Sequence, residues 1–403
     1  MEQDNIRRST SGIRGDKIRS DCYIELELKK SGGLKISVKS KVSALYGNSI
    51  YEIISDMCGF FQVKNASIFI EDYGALPFCL AARFELALKR LKPDLQDVYL
   101  PLYNKNYNYR SSKDRLRRSR LYLPGNEPKF FVNAGLHKPD GIILDLEDSV
   151  SPAEKDAARL MVRNALVAVD FYGAERMVRI NQLPMGKEDL RHIVPYNVHV
   201  ILIPKCESAE EVFEVENEII RIKNEYKIKN DIWFMPIIES AKGIINAYEI
   251  ASASTWNCAL AIGLEDYTSD IGTQRTLEGR ESFFARSMIV NAAKAAGIQA
   301  IDTVFSDVND MESLRLSVLE AKSMGFEGKG CIHPRQIPVV HESFAPSPEE
   351  IARAEKIVAA YEEAESKGLG VVSLGSKMID APVVKRARRT VDLARTLGLI
   401  KEI

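Results

Sequence analysis

Apolar residues change their spacing along this chain in a way that divides it. Between residues 22 and 91 three segments alternate: CYIELEL (22–28), LKISVKS (34–40) and ASIFIED (66–72). Each places its apolar residues on one face of a strand, and Lys30-Ser31-Gly32-Gly33 supplies the turn between the first two. IYEIISDMCGFF (50–61) and LAARFELALKRL (80–91) carry helical spacing instead. The order β-β-α-β-α predicts a small α+β domain over residues 1–92. Residues 93–117, PDLQDVYLPLYNKNYNYRSSKDRLR, have no period and read as a linker with Tyr and Leu side chains available to pack on a neighbour.

From residue 120 a short apolar strand and a helical stretch alternate eight times. The strands read RLYLPG (120–125), GIILDLED (141–148), RMVRIN (176–181), VHVILIPK (198–205), IWFMPIIES (232–240), CALAIGLED (258–266), AIDTVFSD (300–307) and GKGCIHP (328–334). Such alternation means a parallel sheet covered by helices, and eight units predict a closed (β/α)8 TIM barrel over residues 118–345. Ser151-Pro152-Ala153-Glu154 and Ser347-Pro348-Glu349-Glu350 both have the form of a capping box. The second opens a C-terminal helical extension, residues 346–403, in which a glycine-spaced loop (368–382) separates two helices.

A length of 403 residues suits these two domains, and a net charge of -1 gives no basic excess for nucleic acid or an anionic membrane. The six cysteines form no C-x-x-C pair and several sit in apolar runs, as expected of reduced core thiols in a cytoplasmic protein. No signal peptide and no membrane span is expected.

In such a barrel chemistry belongs at the C-terminal ends of the strands. Asp145, Glu147 and Asp148 end the second strand, Arg179 and Asn181 the third, Lys205 the fourth and Glu239 the fifth; the sixth runs into Glu265 and Asp266, and the eighth carries Lys329 and His333. Carboxylates converging on one mouth repel unless a cation or proton intervenes. A hard divalent ion on Glu239 and Asp266, with Asp145, Glu147 and Asp148 holding its waters, satisfies that requirement; ordinary ion pairing is the alternative. Arg179, inside an apolar strand, needs an anion, which is either a structural partner or a substrate carboxylate. His333 is either a hydrogen-bonded structural residue or a base. Lys329, between glycines, offers a point charge for a phosphate.

These motifs, in this order, resemble the HpcH/HpaI aldolase/citrate lyase family, in particular citrate lyase β-subunits and their malyl- and citramalyl-CoA lyase relatives. The matching stretches are RRSRLYLPGNEPKFF, DGIILDLEDSV, MVRIN, PIIESAKGI, AIGLEDYTSDIG, GFEGKGCIHPRQI and GSKMIDAP, spanning about residues 117–403. The resemblance implies Glu239 and Asp266 as Mg2+ ligands, with Glu265 the adjacent alternative. It makes Arg179 the group that holds a 2-oxo acid, and Asp380 an acid acting on the acyl α-carbon from a neighbouring subunit. It leaves Lys329, Arg120 and Lys129 to meet the CoA thioester.

SGIRGDKIRSD and IFIEDYGALPFCLAARFELAL are similar to the citrate lyase γ-subunit, an acyl carrier. In that family a serine four residues after a glycine carries phosphoribosyl-dephospho-CoA. Counted from Gly15 that place is Arg19, and Ser20 follows it, so Ser20 is either a shifted attachment site or the remnant of a lost one.

The expected activity is Mg2+-dependent cleavage of a citryl or citramalyl thioester into a 2-oxo acid and an acetyl thioester. A malyl-CoA-type lyase using free CoA, or a scaffold subunit, is the alternative. The expected assembly is a homo-oligomer, a trimer or a multiple of three, with a possible transferase α-subunit as partner.

Overall fold

The computed structural model describes residues 8–100, 108–366, 372–374 and 377–401. In the N-terminal domain, β1 (Arg8–Ser11), β2 (Cys22–Leu28), β3 (Leu34–Ser40) and β4 (Ala66–Asp72) form one sheet in the order β1-β2-β4-β3. β3 runs parallel to β4, with α1 (Ser43–Phe60) crossing between them, while β2 is antiparallel to both of its neighbours. The three alternating strands lie where their pattern puts them. β1 was not expected, because RSTS has no apolar period; backbone pairing to β2 makes it a strand.

α2 (Pro77–Leu91) explains why its sequence is apolar almost all round. Leu80, Ala81, Phe84, Ala87 and Leu88 pack on the N-terminal sheet. Phe78, Cys79, Ala82 and Leu86 join the core that the barrel strands share with their helices. Glu85 on this helix receives both Nη1 and Nη2 of Arg163 at 2.8 and 2.7 Å, and both side chains are fully buried.

The barrel closes through β5 (Ser119–Pro124), β6 (Gly141–Asp145), β7 (Glu175–Arg179), β8 (Val200–Ile203), β9 (Trp233–Ile238), β10 (Ala259–Ile262), β11 (Gln299–Asp302) and β12 (Gly328–Cys331), all parallel. The surrounding helices are α3 (Lys155–Ala168), α4 (Gly186–Ile193), α5 (Ala209–Tyr226), α6 (Ala241–Ile245), α7 (Ala247–Ser252), α8 (Leu264–Asp270), α9 (Phe283–Ala295), α10 (Met311–Met324) and α11 (Gln336–Phe344). α12 (Pro348–Ser366), the short hairpin β13 (Val372–Leu374) and β14 (Lys377–Ile379), and α13 (Ala381–Thr396) complete the chain. No helix among the described residues is long and apolar enough to cross a membrane.

Only one of the two expected capping boxes forms. Ser347 and Glu350 exchange the reciprocal bonds, at 3.2 and 2.8 Å. Ser151 makes no side-chain cap; Pro152–Glu154 is a single 3-10 turn, and α3 starts after it. The end of the linker folds against the N-terminal end of the barrel. Arg117 pairs with Glu175 at 2.7 Å, with both side chains at zero exposure, and Tyr109 stacks edge-on with His199.

Candidate functional site

A cavity of about 350 Å3 opens at the C-terminal ends of the strands, and Arg179, Glu239 and Asp266 line it. β9 ends at Ile238, so Glu239 is the first residue past the strand, 5% exposed. Gly263 makes room for it: a Cβ there would stand 2.7 Å from Glu239 Cγ. The next strand does not continue to Asp266 as its apolar run suggested. β10 stops at Ile262, and Glu265 and Asp266 lie in the first turn of α8. That change of element separates the two acids. Glu265 turns to Arg275 at 2.5 Å, while Asp266 comes within hydrogen-bonding reach of Glu239. Burial, then the neighbouring Asp266, push the Glu239 carboxyl up to about 8. Two oxygen-donor acids in contact, one of them buried, are the arrangement a hard dication relieves, so these residues fit Mg2+.

Arg179 lies directly opposite Asp145 in the β6–β7 register, which explains its partner. Nε and Nη2 grip the two Asp145 oxygens at 2.7 Å each, and Nη1 reaches Glu147 at 2.9 Å. Burial disfavours charge on both groups, but their mutual bonding outweighs it: Arg179 is held above the ordinary arginine value and Asp145 below the carboxylate range. Asp145 and Glu147, expected to hold metal-bound waters, are both paired with this guanidinium. Asp148 is exposed, 3.4 Å from Lys205 Nζ. The backbone N–H of Lys205 donates to Glu239 Oε1 at 3.3 Å.

The CoA expectations divide. Lys129 is exposed beyond β5 at the rim, paired with Glu127 at 2.7 Å. Lys329 has zero exposure, and its ammonium sits 2.7 Å from Asp302, which also binds Arg286 of α9. It is a structural cation with no surface for a phosphate. Its flanking glycines serve packing: a Cβ at 328 would overlap the Arg117 carbonyl, and one at 330 would meet Val304 and Tyr122. Arg120 is 1% exposed and lies deep in the cavity, beyond reach of an external phosphate. His333 caps a turn, its Nδ1 accepting from the Arg335 N–H at 3.1 Å.

Asp380 is exposed and caps α13, accepting from the Val383 N–H at 3.2 Å; it does not line this chain's cavity. Ser20 is half-buried with φ 55°, and its N–H donates to Tyr73 O. The next residue, Asp21, takes Arg83 at 2.7 Å, and Arg83 reaches the Asn126 carbonyl in the loop after β5. The Ser20 loop is thereby tied to the strand-end face of the barrel. Sequence reasoning missed Tyr122, whose ring lies 5.4 Å from the Arg179 guanidinium carbon, and Asp302. An acid inside the apolar run AID was the available signal for Asp302.

Residues 118–334 match the HpcH/HpaI aldolase/citrate lyase family. The chain belongs to that family. Over 72% of its length it is 43% identical to citrate lyase subunit beta of Leuconostoc mesenteroides subsp. cremoris, covering 97% of that protein. It is 35% identical to the mitochondrial citramalyl-CoA lyase of Homo sapiens, over 70% of this chain and 86% of that one. Protein CitE from Mycobacterium tuberculosis, solved with magnesium, acetoacetate and coenzyme A, superposes with TM-score 0.59 at 31% identity, over 70% of this chain and 98% of that one. Residues 12–91 match an acyl-carrier family described as the malonate decarboxylase delta subunit.

Proposed function

We propose that this chain is a Mg2+-dependent carbon–carbon lyase that cleaves a citryl- or citramalyl-type 3-hydroxyacyl thioester into a 2-oxo acid and an acetyl thioester. The observation that carries this reading is the buried Glu239 beside Asp266, in the cavity that Arg179 also lines. The family's relatives named as citrate lyase β-subunits and citramalyl-CoA lyases support it, as does the relative solved with magnesium and coenzyme A.

In this reading Glu239 and Asp266 hold Mg2+, which when bound draws charge from the oxygens of the 2-hydroxy or 2-oxo acid. Arg179, locked by Asp145, presents a fixed positive charge where negative charge gathers on the oxo acid. Cleavage turns the C–O–H group into a carbonyl, its proton passing to solvent, and leaves the electrons of the broken C–C bond on the α-carbon of the acyl thioester. That carbon needs a proton, and Asp380 is our candidate donor. We assign Lys129, exposed just past β5, to the thioester's CoA group. The assembly we favour is a homo-oligomer in multiples of three, in the cytoplasm, with a transferase subunit as a further partner.

The test is an assay of citryl- and citramalyl-CoA with and without Mg2+. Cleavage that needs Mg2+ supports the lyase, and none with either substrate would leave a scaffold role. Intact mass of the native protein decides how the substrate is presented. Added phosphoribosyl-dephospho-CoA on Ser20 marks a tethered thioester; the bare mass marks free CoA.

Because Asp380 is absent from its own chain's cavity, we place it at a neighbour's. Glu239→Gln and Asp380→Asn should each be inactive alone and should regain turnover when unfolded together and refolded as mixed oligomers. A mixture as dead as its components would refute the shared site.

A further inference from the structure

Arg120 is a buried cation that forms no ion pair among the described residues. It lies in β5 two residues before Tyr122, so both side chains point into the barrel. The lumen around them is apolar: Ile143, Met177, Leu202, Met235, Ile237 and Ile301 fill it. At 1% exposure the guanidinium finds only weak acceptors. Nη1 meets the Met235 thioether at 3.0 Å, Nη2 meets the Asp302 carbonyl at 3.4 Å, and Nε meets no acceptor among the described residues. The nearest carboxylate is engaged elsewhere, because Asp302 holds Lys329 and Arg286. A buried charge left in this state costs free energy that a ligand anion would recover. Arg120 also lines the same cavity as Glu239, Asp266 and Arg179.

We propose that Arg120 is a specificity-determining residue that receives a second carboxylate of the substrate, so that the site prefers a four-carbon dicarboxylic 2-oxo acid over a monocarboxylic one. This rests on the lyase reading above, which puts the 2-oxo acid at Glu239, Asp266 and Arg179. One strand repeat of two residues spans roughly 7 Å, so Arg120 stands one side-chain layer below Tyr122, toward the barrel's centre. An oxo acid held at the mouth by its first carboxylate would direct its far end down the lumen. A methyl group there leaves the guanidinium unpaired, whereas a carboxylate can take its fork through two bonds. The thioester substrate would accordingly be of the citryl rather than the citramalyl type.

The test is calorimetric titration of the full chain with oxaloacetate and with pyruvate, each in Mg2+. Wild type should bind oxaloacetate about ten- to a hundredfold more tightly than pyruvate, the range of a charge-assisted contact. Arg120→Met keeps length and flexibility in an apolar lumen and should bring oxaloacetate down to the affinity of pyruvate, with pyruvate itself unchanged. Arg120→Lys, which keeps the charge but not the fork, should fall between. Equal binding of the two acids by wild type, or an unaltered preference in Arg120→Met, would overturn the assignment and leave the lyase reading standing. Binding of neither acid by wild type would overturn both.

Discussion

Glu239→Gln should abolish magnesium binding and turnover while the barrel stays folded. Partners one step removed from a metal cost about ten- to a hundredfold when lost; a direct ligand costs more, so activity should fall at least about a hundredfold. The variant also reports on pH. The Glu239 carboxyl titrates at about 8 in the folded chain, against an ordinary value of 4.5. A folded value above the unfolded one means that its contribution to stability is full below 4.5 and is lost as pH rises through about 8. Metal-free wild type should therefore melt at progressively lower temperature across that window, and Glu239→Gln should melt with a flatter profile. Mg2+ should raise the melting temperature of wild type at the upper end and leave the variant unmoved. Parallel pH profiles, or equal magnesium affinities by calorimetry, would remove Glu239 from the ligand set.

The largest effect on stability should come from Glu85→Ala. Its carboxylate is the only acid paired with Arg163 among the described residues, and it also accepts the Tyr99 N–H at 3.2 Å and pairs with Lys89 at 2.9 Å. Removing one partner of a fully buried pair leaves an uncompensated charge, at a cost of about 3–5 kcal/mol. The charge left behind is on α3 of the barrel and the lost one is on α2, so the damage falls on the seam between the domains. Calorimetry should show an earlier transition for the N-terminal domain, and limited proteolysis should find new cuts within residues 93–117. A melting curve that superimposes on wild type would show that the seam does not depend on this pair.

How much of this was legible depended on whether a residue's partner is local. β2, β3 and β4 were readable because alternation is a property of the strand itself. α1 begins at Ser43, ahead of its apolar segment, because its first turns are solvent-exposed and need only backbone bonds. The eight barrel strands were found, and the mouth residues Glu239, Asp266 and Arg179 stood out as charges ending apolar runs. What failed required register. Arg120 follows Ser119 and precedes Leu121 in a strand whose inward face only closure of the barrel defines. Lys329 read as a point charge for a phosphate because it stands between glycines, whose purpose is the close approach of β12 to Arg117 and Tyr122. Glu265 and Asp266 could not be separated until the strand gave way to a helix between them and Ile262.

The pinned ends of the interdomain segment bear on how a carried acyl group would travel. Leu95 and Tyr99 pack on the N-terminal core, and Tyr109, Ser111 and Arg117 are bonded to the barrel's far end. A free tether would give the carrier a distribution of positions and a local concentration set by chain statistics. Here the described residues at both ends of the segment are held by fixed contacts, and α2 packs on the N-terminal sheet and on the barrel core together. The protein part of the carrier is then an anchorage rather than a swinging arm. Were Ser20 to carry a prosthetic group, any motion bringing its thioester to this mouth, or on to a second enzyme, would come from that group's own reach, and its length would set which partner sites are accessible.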